Sequence, residues 1–427
     1  MDTQEFAAFV GCDWGDEEHV VCVVPAGAVA GTTAKVVQEA HALDEWARAL
    51  QQRFGGQPVA VAIEQSRGAV VYALMKYSFL VLFPINPKQL ARYREAFRPN
   101  GAKDDPDDAR LLAELLRLHH AQLRPWRPDD QTTRALRLLS ESRRKLVDQR
   151  TALGQQLRQA LKEYFPLALE LLRSGDIHAV WFLKLLQRFG RLNELQRASP
   201  RTLARIMPGC RKVTTDDAPV PQRLQQIRAA TPLVTDPAIL QAGQMLVQSL
   251  APLLEQLNQS IAQYESTLAE LLAKHPDAEL FASFPGAGAA LTPRLCAAFG
   301  SDRDRYASVV DLQQLSGTAP VTRQSGKTKT VLRRRACPKF LHQTFHELAD
   351  HSRKTSRWAS AYYDYLRKQL GKKHHAALRA LAFKWLRILF RCWKARTPYD
   401  ESKYLRRLQI TKPPFLSILL ENLQHDA

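Results

Sequence analysis

Val59-Ala60-Val61-Ala62-Ile63 is an unbroken apolar run that stops on a carboxylate, Glu64. A strand without polar alternation is buried on both faces, so it belongs inside a sheet covered by helices. The surrounding sequence supplies the rest of such a sheet. Residues 6 to 25 read as two β-rich runs joined by the turn-like Trp14-Gly15-Asp16-Glu17, with Val, Phe and Cys clustered on both sides. A third run surrounds Ala34 to Val37, a helical stretch covers Leu43 to Phe54, a second helix lies near Gly68 to Tyr77, and another strand spans Phe79 to Phe83. From Asp105 to His119 a helix keeps Leu111, Leu112, Leu115, Leu116 and Leu118 on its apolar side. The predicted order is β-β-β-α-β-α-β-α, a mixed sheet with helices on its faces.

From Thr132 the character changes. Leu139, Leu146 and Leu153 recur every seven residues, and Leu157, Leu161 and Tyr164 continue the stripe. Leu250, Leu254, Leu257, Ile261, Tyr264, Leu268 and Leu271 make a second one, begun by Asp236-Pro237 and stopped by Pro276. Two heptad seams predict long helices in an antiparallel coiled coil, within the chain or between protomers, and an ordinary bundle satisfies the same spacing. Between them, 169 to 232 is helical and basic, with Arg201, Arg205, Arg211 and Lys212. Next, Pro285-Gly286-Ala287-Gly288 sits between helical flanks. It reads as a helix-hairpin-helix turn offering backbone N–H groups to a phosphate, or as a plain corner. Residues 312 to 335 read as loop and short strands, the remainder is helical and basic, and a polar tail follows Leu420. The expected domains are 1–125, 130–276 and 277–410, with 411–427 as tail.

Charge narrows the partner. Lys plus Arg number 61 against 42 Asp plus Glu, a formal net charge of +19, which implies a polyanion. No apolar run approaches the ~20 residues of a spanning helix, and the basic residues are not gathered into one amphipathic anchor, so nucleic acid is favoured over a membrane. The six cysteines lie far apart with no CxxC pair, against a disulfide framework and against zinc. The N-terminus has no secretory pattern, and a reducing cytoplasm is the expected compartment.

Carboxylates carry the chemistry. Asp13 closes the first strand, on one face with Phe9 and Gly11. Glu64 repeats the arrangement, and parallel neighbours would bring both to one sheet edge, where α/β folds put their sites. Lys103-Asp104-Asp105-Pro106-Asp107-Asp108-Ala109 then opens a helix. Asp in a first turn is also ordinary capping, yet like charges this dense repel unless a cation sits among them. Asp105 and Asp108 share a helix face, and Asp104 and Asp107 keep the same interval. Oxygen donors without His or Cys suit Mg²⁺ or Mn²⁺, which could polarise a phosphodiester.

Asp13, Glu64 and Lys103-x-Asp105-xx-Asp108-Ala109 resemble the DEDD transposases of the insertion-sequence-110 family, whose N-terminal domain is RuvC-like within the ribonuclease-H-like fold. The resemblance continues in Phe284-Pro-Gly-Ala-Gly288 and in Ser316-Gly-Thr-Ala-Pro320-Val-Thr-Arg-Gln-Ser325-Gly326-Lys327, where Ser316-Gly317-Thr318 stands in place of the usual Gly-Leu. It implies an α/β RuvC-like domain, coiled-coil helices and a mainly α C-terminal transposase domain. It also implies Ser325 as nucleophile, a catalytic centre shared with the Mg²⁺-binding acids, a guide RNA pairing with donor and target DNA, and dimers or tetramers through the coiled coil. On this reading the enzyme is a bacterial one, at the nucleoid when active.

Taken alone, Ser-Gly between polar residues is usually a turn. Around Ser325, however, lie Arg323, Lys327, Lys329, Arg333, Arg334, Arg335 and Lys339, the cations a phosphoryl transfer needs. His342 and His346 read as ordinary surface or core residues. Farther on, Trp358, Tyr362, Tyr363 and Tyr365 precede Lys372, Lys373, His374, His375, Arg379, Lys384, Trp385, Arg387 and Arg391. Basic residues interleaved with aromatics suit phosphate contacts and stacking, and Trp385, Leu386, Leu389 and Phe390 also fit a core stripe on the opposite face. The alternative function is a metal-dependent, structure-selective endonuclease using water, in which Ser325 only contacts phosphate; a third is a non-catalytic nucleic-acid scaffold.

Overall fold

The computed structural model describes residues 5–97, 104–173, 175–207 and 222–425. Lys103, Cys210, Arg211 and Lys212 lie outside them. The chain divides into two compact units, 1–128 and 129–427.

The first unit is a five-stranded sheet in the order β3-β2-β1-β4-β5. Its strands are β1 (Ala8–Asp13), β2 (Glu18–Pro25), β3 (Thr32–Val37), β4 (Val59–Ile63) and β5 (Leu80–Pro84). β1 pairs antiparallel with β2 and parallel with β4, Cys12 opposite Ile63, and β5 continues in parallel. Every residue of β4 is buried. On one face Val10, Cys12, Val61 and Leu82 meet α1 (Ala40–Arg53) and α2 (Ala69–Leu74) through Leu43, Leu50, Val71 and Leu74. On the other face Phe9, Ala60, Ala62 and Phe83 meet α3 (Pro87–Phe97) and α4 (Asp105–His119) through Leu90, Leu112 and Leu116. α3 is absent from the sequence-based order. Among its described side chains only Leu90 is fully buried, so its apolar signal is narrow. β3 is an exposed edge with Val36 alone buried, and Lys35 on it guards against strand addition.

α4 presses onto β1 at one point. A Cβ on Gly11 would stand 2.0 Å from the Ala109 carbonyl oxygen and 2.5 Å from the Ala113 nitrogen. Glycine is therefore required for the close approach of helix and strand. Phe9 touches the His120 ring, so the helix runs against the strand direction and its N-terminus covers the end where Asp13 lies.

The second unit is helical. α5 (Gln131–Tyr164) and α11 (Pro237–Ala273) lie antiparallel, as successive contacts show: Thr133 with His275, Arg143 with Glu265, Arg150 with Asn258, and Tyr164 against Gly243. The expected antiparallel pairing is thus within the chain. Leu139, Leu146 and Leu153 are only half-buried, because two helices alone cannot enclose a seam. Full burial is reached at the two ends. At one, Leu157, Leu161 and Leu254 join α6 (Pro166–Leu172), α7 (Val180–Arg188), α8 (Leu192–Arg197), α9 (Pro200–Ile206) and α10 (Gln222–Ala229). At the other, Leu136 and Leu268 enter a core with α12 (Ala278–Ala282), α13 (Thr292–Phe299), α14 (Val309–Leu315), α15 (Lys339–Thr355), α16 (Arg357–Asp364), α17 (His374–Ala395), α18 (Glu401–Thr411) and α19 (Leu416–His425).

Two expectations change in this core. Most of 411–427, set apart as a tail, is the helix α19, with Leu419 and the preceding Phe415 buried. Trp358, one of the aromatics expected to stack on bases, is fully buried, while Trp385 is buried as its core stripe predicts, and with Trp393 these indoles hold the domain together. No helix among the described residues is long and apolar enough to cross a membrane.

Candidate functional site

Asp13 ends β1 and Glu64 follows β4. Because Cys12 is opposite Ile63 in a parallel pair, these two carboxylates come next to each other at the carboxyl edge of the sheet. Asp13 alternates with Phe9 and Gly11, and Glu64 with Ala60 and Ala62, so both belong to the face covered by α4. The loop after Asp13 is pinned from below. Gly15 donates its N–H to Nδ1 of the fully buried His19 (3.3 Å), and the other ring nitrogen of His19 bonds Gln38. Burial first, and then the charge of Asp13, push the neighbouring Cys12 thiol up to about 12, so it stays a protonated packing group.

The acidic run divides its duties. Asp104 caps α4, accepting from the Asp107 N–H at 2.7 Å, and Asp107 pairs with Arg110 at 3.1 Å. Asp105 is exposed. Its charge reaches Lys35 on β3, whose amine is raised chiefly by the hydrogen bond it donates to Glu18. Asp108 is buried directly before Ala109, the residue pressed on Gly11. A bare buried carboxylate is costly, and Arg94 of α3 answers it with an ion pair. The sequence reasoning missed Arg94 because it missed α3.

Whether these residues fit a divalent cation turns on Asp108. The donors are all carboxylate oxygens, the set a hard cation takes, and the buried carboxylate is already arranged around a positive charge, with a guanidinium as stand-in. The Arg94 Nε is buried without a hydrogen-bond partner, so the arginine is imperfectly housed there. As they stand, no three His, Cys, Asp or Glu among the described residues converge closely enough to hold an ion. Movement of Arg94 off Asp108 is the adjustment the fit requires.

Ser325 belongs to the other unit. It ends β6 (Val321–Ser325), which pairs with β7 (Thr328–Leu332) as an antiparallel hairpin, Ser325 opposite Thr328. Gly326 takes φ +53° in the two-residue turn, a conformation glycine adopts without steric cost. The short strands expected in this stretch form a regular, exposed hairpin with the serine beside its tip. Arg323 and Ser325 alternate onto one face and Lys329 onto the other. Arg333 and Arg335 follow exposed, Arg334 half-buried.

The glycine turn separates likewise. Gly286 has φ +81°, and a Cβ there would meet backbone of His351 and Ser352 at 2.9 Å, so close packing on α15 explains it. Gly288 is exposed with open space beside it. Lys372 and Lys373 are exposed before α17, and Arg379 is half-buried on it. Lys384 points instead into a cage, its Nζ 4.4 Å from the ring centres of Tyr362 and Phe415 and 5.9 Å from Trp358. Burial, with Arg387 adding, lowers it to about 8.

Residues 10–166 match the DEDD transposase family model of the IS110 type, and residues 278–364 match the transposase IS116/IS110/IS902 family. The chain is similar to the mini-circle putative transposase for IS117 of Streptomyces coelicolor, at 29% identity over 413 residues, 94% of this chain and 98% of that protein. It is similar to the uncharacterized 42 kDa protein of insertion element IS900 from Mycobacterium paratuberculosis, at 28% over 387 residues, 90% and 94%. The putative transposase y4uE of Sinorhizobium fredii is 31% identical over 213 residues, 48% and 57%.

Proposed function

The chain belongs to the IS110 family of transposases, enzymes that cut and rejoin DNA, and on that premise we propose that it mobilises an insertion sequence with Ser325 as nucleophile and Asp13, Glu64, Asp105 and Asp108 as a Mg²⁺ or Mn²⁺ site. The observation that carries the metal half is the strand-end pair of Asp13 and Glu64 under the N-terminal turn of α4, with Asp108 buried there and already balanced by a cation. Capping by Asp104 and pairing of Asp107 with Arg110 support the register Asp105 and Asp108. Bound there, the ion would polarise a phosphodiester.

The serine half is supported by exposure and charge. A hairpin tip can reach a strand in a groove, Arg323 shares its face with Ser325, Lys327 lies in the turn and Lys329 follows it. Attack forms an Oγ–phosphorus bond and breaks the strand's phosphorus–oxygen bond; the hydroxyl proton passes to water, and reversal by another strand's hydroxyl rejoins the DNA. Gly288, Arg333, Arg334, Arg335, Lys372, Lys373 and Arg379 are proposed phosphate contacts. Direction by a guide RNA rests on the resemblance alone, with the +19 charge compatible. Assembly through the long helices is supported by Ile239, Leu246 and Leu253, exposed at heptad spacing on α11.

Trapping protein on end-labelled cleaved DNA tests the reading. A covalent adduct is expected, lost in Ser325→Ala; an adduct that survives this change removes the serine from the role. Cleavage without any linkage, abolished by Asp13→Asn, identifies the water-using endonuclease instead. Sequencing nucleic acid copurified with the chain decides whether an RNA is bound.

A further inference from the structure

Four imidazoles form a row across two helices beyond the β6–β7 hairpin. His342 and His346 lie one turn apart on α15, their rings stacked at 5.8 Å and 21°. His346 Nε2 is 3.2 Å from His375 Nδ1 at the start of α17. His374 follows, its ring centroid 4.9 Å from that of His375, and its Nδ1 lies 2.7 Å from the Tyr363 hydroxyl. Guanidiniums flank the row. Arg333, directly after β7, has Nη2 3.3 Å from His342 Nε2, and Arg379 stands one turn from His375 on α17.

Arg333 and Arg379 both act on His342, Arg379 also on His346, and the nearby acids are engaged. Asp350, whose charge acts on His346, is bound by Arg353 at 2.8 Å and Lys354 at 3.5 Å. Glu347 is taken by Arg144 and Arg294. His346 Nδ1 is buried without a hydrogen-bond partner. Burial, then His342, His375 and Arg379, lower His346 to about 4, and burial with Arg333 and Arg379 lowers His342. A cluster with this composition repels a metal ion and lacks its counter-anion. The exposed Lys372 and Lys373 extend it along the surface, which suits a polyanion better than an isolated anion.

We propose that His342, His346 and His375, with Arg333 and Arg379, form a phosphate clamp for the DNA backbone that takes up protons as it closes. The inference rests on the DNA-acting reading above and not on the serine or metal assignments. A phosphodiester among these groups replaces the missing negative charge, favours the charged imidazole, and accepts charge-assisted hydrogen bonds from both guanidiniums. Binding therefore raises the pKa values of His342 and His346 from their depressed free values. Affinity grows as pH falls through the bound value toward the free one, by about tenfold per pH unit for each proton taken up.

Titration of the full-length chain with a fluorescent duplex of mixed sequence, from about pH 8 to about pH 5.5 at constant ionic strength, tests this. The wild type is expected to bind tighter at the acid end. His346→Gln combined with His375→Gln should flatten that dependence. Arg379→Gln should keep the pH dependence and lower the slope of log affinity against log salt by about 0.9. A double variant with the wild-type pH slope, or an Arg379→Gln chain with the wild-type salt slope, overturns the clamp. A wild-type chain that binds no duplex overturns the DNA-acting reading, and the clamp with it.

Discussion

Gly11→Ala is the smallest change that separates the acidic elements. The added Cβ would lie 2.0 Å from the Ala109 oxygen, 2.5 Å from the Ala113 nitrogen and 2.8 Å from the Leu112 Cβ. None of these atoms can rotate away. Ordinary contact begins near 3.4 Å, so α4 must retreat by about 1.4 Å. Overpacking of this kind costs ~1–3 kcal/mol. The retreat also opens the seam under Leu112 and Leu116, where a gap of 0.5–1 Å already forfeits roughly a quarter to a half of each contact, so the upper end, about 3 kcal/mol, is expected. Asp108 moves with the helix, and misplacement by ~1 Å costs on the order of a hundredfold in rate. Urea denaturation and strand cleavage measure the two effects, with Gly288→Ala as the control for denaturation alone because nothing lies within 4 Å of that position. A Gly11→Ala chain that unfolds at the wild-type urea concentration would refute the packing argument.

Other perturbations separate the remaining features. Arg94→Gln leaves the Asp108 carboxylate buried without its cation, a loss of about 3–5 kcal/mol; Mg²⁺ should raise the melting temperature of this variant more than that of the wild type, and an unshifted variant without Mg²⁺ would show that the pair stabilises nothing. Lys384 is depressed to about 8 while the unfolded amine stays near 10.4. The unfolded chain therefore binds more protons between these values, and stability should rise from about pH 8 until tyrosine ionisation opposes it near pH 10. Lys384→Met should remove that rise in pH-resolved urea melts. Gly286→Ala, strained at φ +81° and set against α15 backbone, should lower the urea midpoint of the second unit, whereas Gly326→Ala, with open space around it, should cost about 1 kcal/mol through its turn alone.

Much of the first unit was legible because its signals are local. β4 is five apolar residues, β1 and β2 cluster Val, Phe and Cys around a turn, and each strand falls within a residue or two of its expected place. The glycine and the two strand-end carboxylates also stand at fixed positions in the chain. α3 was hidden because one fully buried leucine among its described side chains leaves no stripe to read. Trp358 and Trp385 were ambiguous because interleaved aromatic and basic residues look the same whether the rings face a base or a core. Ser325 carried its turn signal openly, and Gly326 confirms the local conformation, but its exposure comes from a hairpin that packs neither face.

The tertiary structure decided what no spacing could. Asp104, Asp105, Asp107 and Asp108 are equivalent in sequence, and only the docking of α4 on Gly11 assigns one to a cap, one to solvent, one to a surface pair and one to burial against Arg94. His346 and His375 lie on separate helices, so their meeting depends on how α15 crosses α17. By itself the sequence determined which strands are buried and where their charges end, because burial of apolar strands is a local demand. Which charges meet depends on helix packing, because side chains far apart in the chain become neighbours only when the elements that carry them share a core.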